Sequence, residues 1–166
     1  MSREYPERPV VGVGGVVIED RRALLIRRAS EPLRGEWSIP GGLLELGESL
    51  ERGVARELLE ETGLEVRVLE LIEVFDRVYE GDAAAGGPPS LRKGPKYHYV
   101  IVDYLCERIG GEAMAGSDVT DVAFASEEEL GVYGLTETAT RILKKAFAME
   151  QRRRGEGTSS VGEWKS

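Results

Sequence analysis

Gly41–Leu64, GGLLELGESLERGVARELLEETGL, decides how this chain is read. Counted from Gly42, five residues lead to Glu48, and seven more lead to Arg56-Glu57-Leu58. Glu60-Glu61 and Gly63-Leu64 follow, each after one intervening residue. A glycine-rich loop thus runs into a segment dense in carboxylates, with only Arg52 and Arg56 of opposite sign. Ser49 has the side chain of an N-cap, although Arg52 rather than Glu stands where a capping box would be completed. A helix is predicted over about Leu50 to Thr62, closed by Gly63 in a left-handed conformation. At about 100° per residue, Glu57, Glu60 and Glu61 share an arc of roughly 100°. Leu50, Val54, Ala55, Leu58 and Leu59 spread around the adjoining side, so one face can be buried while three carboxylates are held towards a cleft. Arg56 is four residues before Glu60 and can pair with it, and Glu48 can fold back from the loop onto the same cluster. One arginine cannot balance four glutamates. The excess negative charge suits a hard cation such as Mg²⁺, which takes oxygen ligands.

Upstream, Pro9 to Asp20 is β-branched and apolar, a strand interrupted by glycines. Glu19 to Arg22 reads as a turn, and Ala23 to Arg28 returns as a second strand. Arg27 and Arg28 end that strand as solvated charge or as contacts to a substrate phosphate. Trp37 lies in the stiff lead-in to Pro40 and the glycines, where it plugs a core edge or stacks on a base. Downstream, Leu64 to Tyr79 alternates as one long strand or a bent pair. Glu80 to Lys96, EGDAAAGGPPSLRKGPK, is a long irregular loop. It is expected to be a mobile surface loop or a lid, with Arg92, Lys93 and Lys96 meeting phosphate and the aromatics of Tyr97, His98 and Tyr99 stacking on a base. His98, the only histidine, sits just beyond it and is a candidate hydrogen-bonding contact to substrate rather than a catalyst.

Tyr97 to Glu107 is the clearest strand, and Asp121 to Ala125 is a short one. Ser126 is placed to cap a helical turn through Glu129. Thr136 or Thr138 opens a final helix, with Ala139, Ile142, Leu143, Ala146 and Phe147 at helical spacing. The order points to a mixed sheet covered by helices, an α/β class. One domain over 1–150 is expected, with 151–166 as a polar tail.

With 166 residues, 41% of them hydrophobic, the chain has material for one domain with a real core. A net charge of −8 argues against a stable nucleic-acid complex, because duplex binding rests on phosphate neutralisation by Lys and Arg. No apolar run is long enough to cross a bilayer, and the polar opening SREYPERP does not read as a leader. The single Cys106 suits a reducing compartment, the cytoplasm being the expectation.

The spacing of Gly42, Glu48, Arg56, Glu57, Leu58, Glu60, Glu61, Gly63 and Leu64 resembles the Nudix hydrolase signature at every specified position. That resemblance implies an α/β/α sandwich and hydrolysis of a nucleoside diphosphate linked to another group, with Mg²⁺ or Mn²⁺. It implies Glu57, Glu60 and Glu61 as metal ligands with the Gly41 carbonyl, Arg56 as the residue that orients them, and Glu48 as their support. Glu57 is the first choice for general base, with Asp118, Asp121 and Glu127 to Glu129 as loop alternatives. The substrate implied is ADP-ribose or a related nucleotide sugar, although the proline that several ADP-ribose-cleaving members carry after the signature is missing here. A house-cleaning nucleoside triphosphatase acting on oxidised guanine nucleotides is the alternative. A nucleotide sensor that does not cleave is less favoured, because all four signature glutamates are present. An RNA 5′-end hydrolase is weakened by the acidic balance. Many members are dimers, and the apolar residues of the first strand are expected to suit a homodimer interface.

Overall fold

The computed structural model describes residues 3–81 and 94–158. Arg92 and Lys93, with most of the expected lid, lie outside the described residues. Strand β1 (Val10–Glu19) joins two sheets. Its first part pairs antiparallel with β4 (Gly41–Leu43) on one side and parallel with β6 (Tyr97–Gly111) on the other. Its last two residues form a hairpin with β2 (Arg22–Arg28), which also pairs with β3 (Trp37–Ser38) and β7 (Val119–Ser126). The hairpin is tight because Asp20 and Arg21 both take positive φ, 49° and 62°, the combination that matches strand twist. Strand β5 (Leu64–Tyr79) runs antiparallel to β6 along nearly its whole length. It is one bent strand, with three register shifts between Glu65 and Glu73 supplying the bend.

A helix covers each side. Helix α1 (Leu50–Thr62) is capped by Ser49, whose Oγ accepts from the Arg52 N–H at 3.2 Å. Gly63 ends it at φ 73° while donating to the Leu59 carbonyl at 3.0 Å. Val54 and Leu58 are fully buried against Val13, Val17, Leu64 and Cys106. Each such burial stabilises by about 1.5–3 kcal/mol. Gly15 lets the helix come this close, since a Cβ there would lie 3.0 Å from Leu58 and Val54. Leu59, expected on the buried side, is instead 49% exposed, because it lies outside the packed stripe of Gly53, Val54, Leu58 and Thr62.

Helix α2 (Glu137–Thr158) covers the other side with Ala139, Ile142, Leu143, Ala146 and Phe147. Thr136 caps it, its Oγ1 accepting from the Ala139 N–H at 3.1 Å. The expected polar tail starts later than Gln151, because α2 continues to Thr158. Arg154 pairs one turn back with Glu150 at 3.2 Å, and extending an existing helix costs far less than starting one. Between β7 and α2, Glu127–Tyr133 forms a 3₁₀ segment in which the Glu129 carboxylate accepts from the Ser126 N–H at 2.9 Å.

The result is an α/β/α sandwich around a mixed sheet. The first strand is its interior, with Val13, Val16 and Val17 at 2% exposure or less. Those residues therefore offer no surface for a second copy, contrary to the expectation. Among the described residues, no helix is long and apolar enough to cross a membrane.

Candidate active site

The N-terminal lead of α1 and strand β4 bring the signature residues together around Arg56. Its Nε and Nη2 donate to the two carboxylate oxygens of Glu48 at 2.7 and 3.0 Å, a forked pair. Nη1 donates to Glu57 Oε1 at 2.8 Å and to Glu60 Oε2 at 3.3 Å, and Nη2 also reaches the Leu43 carbonyl at 2.9 Å. Glu48 accepts a further bond from the Glu45 N–H at 3.0 Å. The Arg56 guanidinium, and after it that backbone bond, hold the Glu48 carboxyl down at about 2. Arg56 is itself held more firmly protonated by Glu48.

The other carboxylates lie differently. Glu61 is only 8% exposed, and its Oε2 accepts from the Gly41 N–H at 2.9 Å. Burial, opposed by that bond and reinforced by the charge on Glu57, pushes its carboxyl up to about 8. Burial also raises Glu57, against the pull of Arg56. Gly42 must lack a side chain because a Cβ there would overlap the Glu57 carboxylate, and one on Gly41 would strike the Val13 carbonyl.

Among the described residues, no three acidic side chains already converge as a finished cage. Mg²⁺ rarely uses one. It keeps several waters and takes one or two carboxylates plus substrate phosphates. The donors here fit that demand, being hard oxygens, partly buried, short of positive charge and open to close approach beside two glycines. Glu57, Glu60 and Glu61 are the donors in this cluster that such an ion would draw on.

These carboxylates line one end of a cleft of about 390 Å³, within the usual size for a small-molecule site. Its floor is the sheet, with Tyr99, Ile101 and Asp103 in a row on β6 and Phe75, Arg77 and Tyr79 in a facing row on β5. Arg3, Arg28 and Asp118 complete the rim. Arg28 is braced by its Nε donating to the Pro32 carbonyl at 2.7 Å. Of the loop carboxylates, Asp118 reaches the cleft, whereas Asp121 and Glu127 to Glu129 do not line it.

Three expected substrate contacts sit elsewhere. Arg27 donates to the Gly35 carbonyl at 2.9 Å and pins the loop that follows β2. Trp37 stands edge-on to Tyr133, ring centroids 5.2 Å apart, and packs on the core under α2. His98 alternates with Tyr99 on β6 and so points to the opposite face of the sheet. Sequence reasoning passed over Asp103, Arg77 and Arg3. Period-two alternation was present in both strands, but which face lines the cleft depends on the tertiary packing, and it is the face that carries α2.

The NUDIX domain profile matches residues 8–148. The chain belongs to the Nudix family. It is 34% identical over 116 residues to the ADP-ribose pyrophosphatase of Methanocaldococcus jannaschii, covering 70% of this chain and 61% of that protein. It is 36% identical over 104 residues to a Mycobacterium tuberculosis protein provisionally named 8-oxo-dGTP diphosphatase 2, covering 62% of this chain and 64% of that one. The chain thus spans less than two thirds of these curated relatives. In fold it is similar to a MutT Nudix hydrolase from Burkholderia pseudomallei, with TM-score 0.68 and 30% identity over 84% of this chain and 98% of that one. Nudix proteins generally use divalent metal ions.

Proposed function

We propose that this Nudix chain is a pyrophosphohydrolase that cleaves the diphosphate of a nucleoside diphosphate linked to a second group, ADP-ribose or a nucleotide sugar being the substrate class. The observation that carries this reading is the cluster of Glu57, Glu60 and Glu61 at one end of a cleft whose other end is walled by Phe75, Tyr79 and Tyr99. A polar, cation-demanding end suits a diphosphate, and an aromatic end suits a base. The similarity to a relative named ADP-ribose pyrophosphatase supports the same class.

Glu57, Glu60 and Glu61, with the Gly41 carbonyl, are the residues proposed to hold Mg²⁺ or Mn²⁺. When bound, such an ion supplies charge neutralisation on the diphosphate oxygens and a more acidic water. The chain's own residues do the rest. Arg56 fixes the carboxylates through its four glutamate and carbonyl partners, and Glu48 fixes Arg56. Arg28 on the rim is placed to meet a phosphate. Glu57, whose Oε1 is held by Arg56, is also the first choice for general base. Positioning and electrostatics supply most of the rate in such displacements. A reducing, cytoplasmic setting suits the lone buried Cys106.

A second reading, removal of oxidised guanine nucleotides, draws on the relative provisionally named 8-oxo-dGTP diphosphatase 2. A substrate panel with Mg²⁺ and Mn²⁺, with products separated by chromatography, decides between them. AMP from ADP-ribose is the expected product. Pyrophosphate from 8-oxo-dGTP, with ADP-ribose untouched, would replace the first reading by the second. No product from any nucleotide that binds would leave a sensor.

A further inference from the structure

Asp103 is a carboxylate that the signature chemistry does not use. It is 4% exposed and lines the cleft from the middle of the sheet. No hydrogen bond to its side chain forms among the described residues, yet none of their fully buried side-chain oxygens lacks a partner, so the Asp103 oxygens keep contact with the cleft. Burial, reinforced by the neighbouring Glu73, pushes it up to about 7. A buried carboxyl without donors is costly unless something supplies them. The fold also makes room for this one. Gly14 is its register partner on β1, and a Cβ on Gly14 would overlap Asp103 Oδ1, so the carboxyl lies over the glycine.

Position along the cleft says what the carboxyl meets. Gly14 also partners Gly41 on β4, so Asp103 stands two strands from the metal-side loop, about 10 Å at the usual strand spacing. In the other direction on β6, Ile101 and Tyr99 follow on the same face, with Phe75 and Arg77 as their partners on β5. The carboxyl therefore separates the diphosphate end from the aromatic wall. In a nucleotide, the group between diphosphate and base is the sugar, and its hydroxyls are hydrogen-bond donors. A carboxylate that accepts from a ribose 2′-hydroxyl is a recurrent solution in nucleotide sites.

We infer that Asp103 accepts a hydrogen bond from the ribose 2′-hydroxyl of the substrate's nucleoside and makes the site selective for ribonucleotides over 2′-deoxynucleotides. This rests on the nucleotide reading of the cleft and sharpens it, since it favours ADP-ribose-type substrates over deoxynucleoside triphosphates.

The test is calorimetric titration of ADP, 2′-deoxyADP, GDP and 2′-deoxyGDP into the whole chain with Mg²⁺, for wild type, Asp103→Asn and Asp103→Leu. In the wild type, the ribo form should bind about tenfold tighter than the deoxy form with both bases. Asp103→Leu should bring the ratio within twofold by weakening the ribo form alone, and Asp103→Asn, with one acceptor in place of two, should at least halve it. Thermal unfolding checks both variants, and Asp103→Asn decides if Asp103→Leu does not fold. Equal ribo and deoxy binding in the wild type, or an undiminished ratio in the folded variants, overturns the assignment of Asp103 while leaving the nucleotide reading intact. Failure of all four nucleotides to bind overturns both.

Discussion

The two arms of the acidic cluster are built from the same residue type and behave in opposite ways. On the loop arm, Glu48 is locked by a forked bond to Arg56 and held at about 2, so its charge is matched. On the helix arm, Glu61 is buried, its carboxylate accepting from the Gly41 N–H, and is pushed up to about 8, with Glu57 raised beside it. In the proposed reading, the loop arm is a brace and the helix arm is the site. Four glutamates around one arginine leave negative charge over, and the fold places that remainder where two glycines allow close approach.

The largest effect that would break this division is expected at Glu57. Glu57→Gln keeps the shape but removes the charge and the proton-accepting oxygen, and turnover should fall by roughly 10³ with the unfolding midpoint little changed. Near wild-type turnover would remove Glu57 from both roles. Gly42→Ala comes next. Its Cβ would displace the Glu57 carboxylate, and kcat should fall roughly 100-fold, as small misplacements of reacting groups do. Unchanged kcat would show that the close packing of Gly42 on Glu57 is incidental.

Stability against pH should separate the two arms by sign. Glu61 has a folded value near 8 against an ordinary 4.5, so the folded state holds its proton longer than the unfolded one. Its contribution is fully present below about 4.5 and is lost as pH rises towards 8, and Asp103 acts in the same direction. In metal-free protein the unfolding midpoint should therefore drop across that window, and Glu61→Gln should flatten the slope. Glu48 runs the other way, from 4.5 down to about 2, so its contribution is present above 4.5 and lost on acidification through the lower value. Glu48→Gln should lower the midpoint at neutral pH and shrink the acid limb. Parallel pH profiles for the two variants would contradict the division. The smallest effect is expected at His98, on the far side of the sheet. His98→Ala should keep kcat/KM within roughly threefold, in line with surface substitutions away from a site.

How much of this was legible in the chain follows the range of the interactions. Helix α1 was readable because its cap, terminator and carboxylate arc are local, and Ser49, Gly63 and Glu57 to Glu61 all lie within one segment. The strands were readable from alternation, and the buried face of α2 from Ile142, Leu143, Ala146 and Phe147. The substrate wall was not. Tyr99 and His98 are adjacent, and only the tertiary packing decides between them: the cleft opens on the face that carries α2, where Tyr99 points, while α1 packs on the other face with Val102 and Cys106. Trp37 and Arg27 looked like ligand contacts because they border a polar loop, yet one packs under α2 and the other pins that loop. Asp103 was hidden inside an apolar strand, where nothing local distinguishes a buried carboxylate facing a cavity from one facing solvent.

The central claim is that the helix arm, and not the loop arm, holds the metal. Mn²⁺ titrated into the metal-free whole chain near pH 8, with free ion read by electron paramagnetic resonance, tests it most directly. Saturable binding is predicted for the wild type and for the loop-arm variant Glu48→Gln, and it should be lost in the folded Glu57→Gln/Glu61→Gln double variant. Undiminished binding by the double variant, or none by the wild type, would contradict the account.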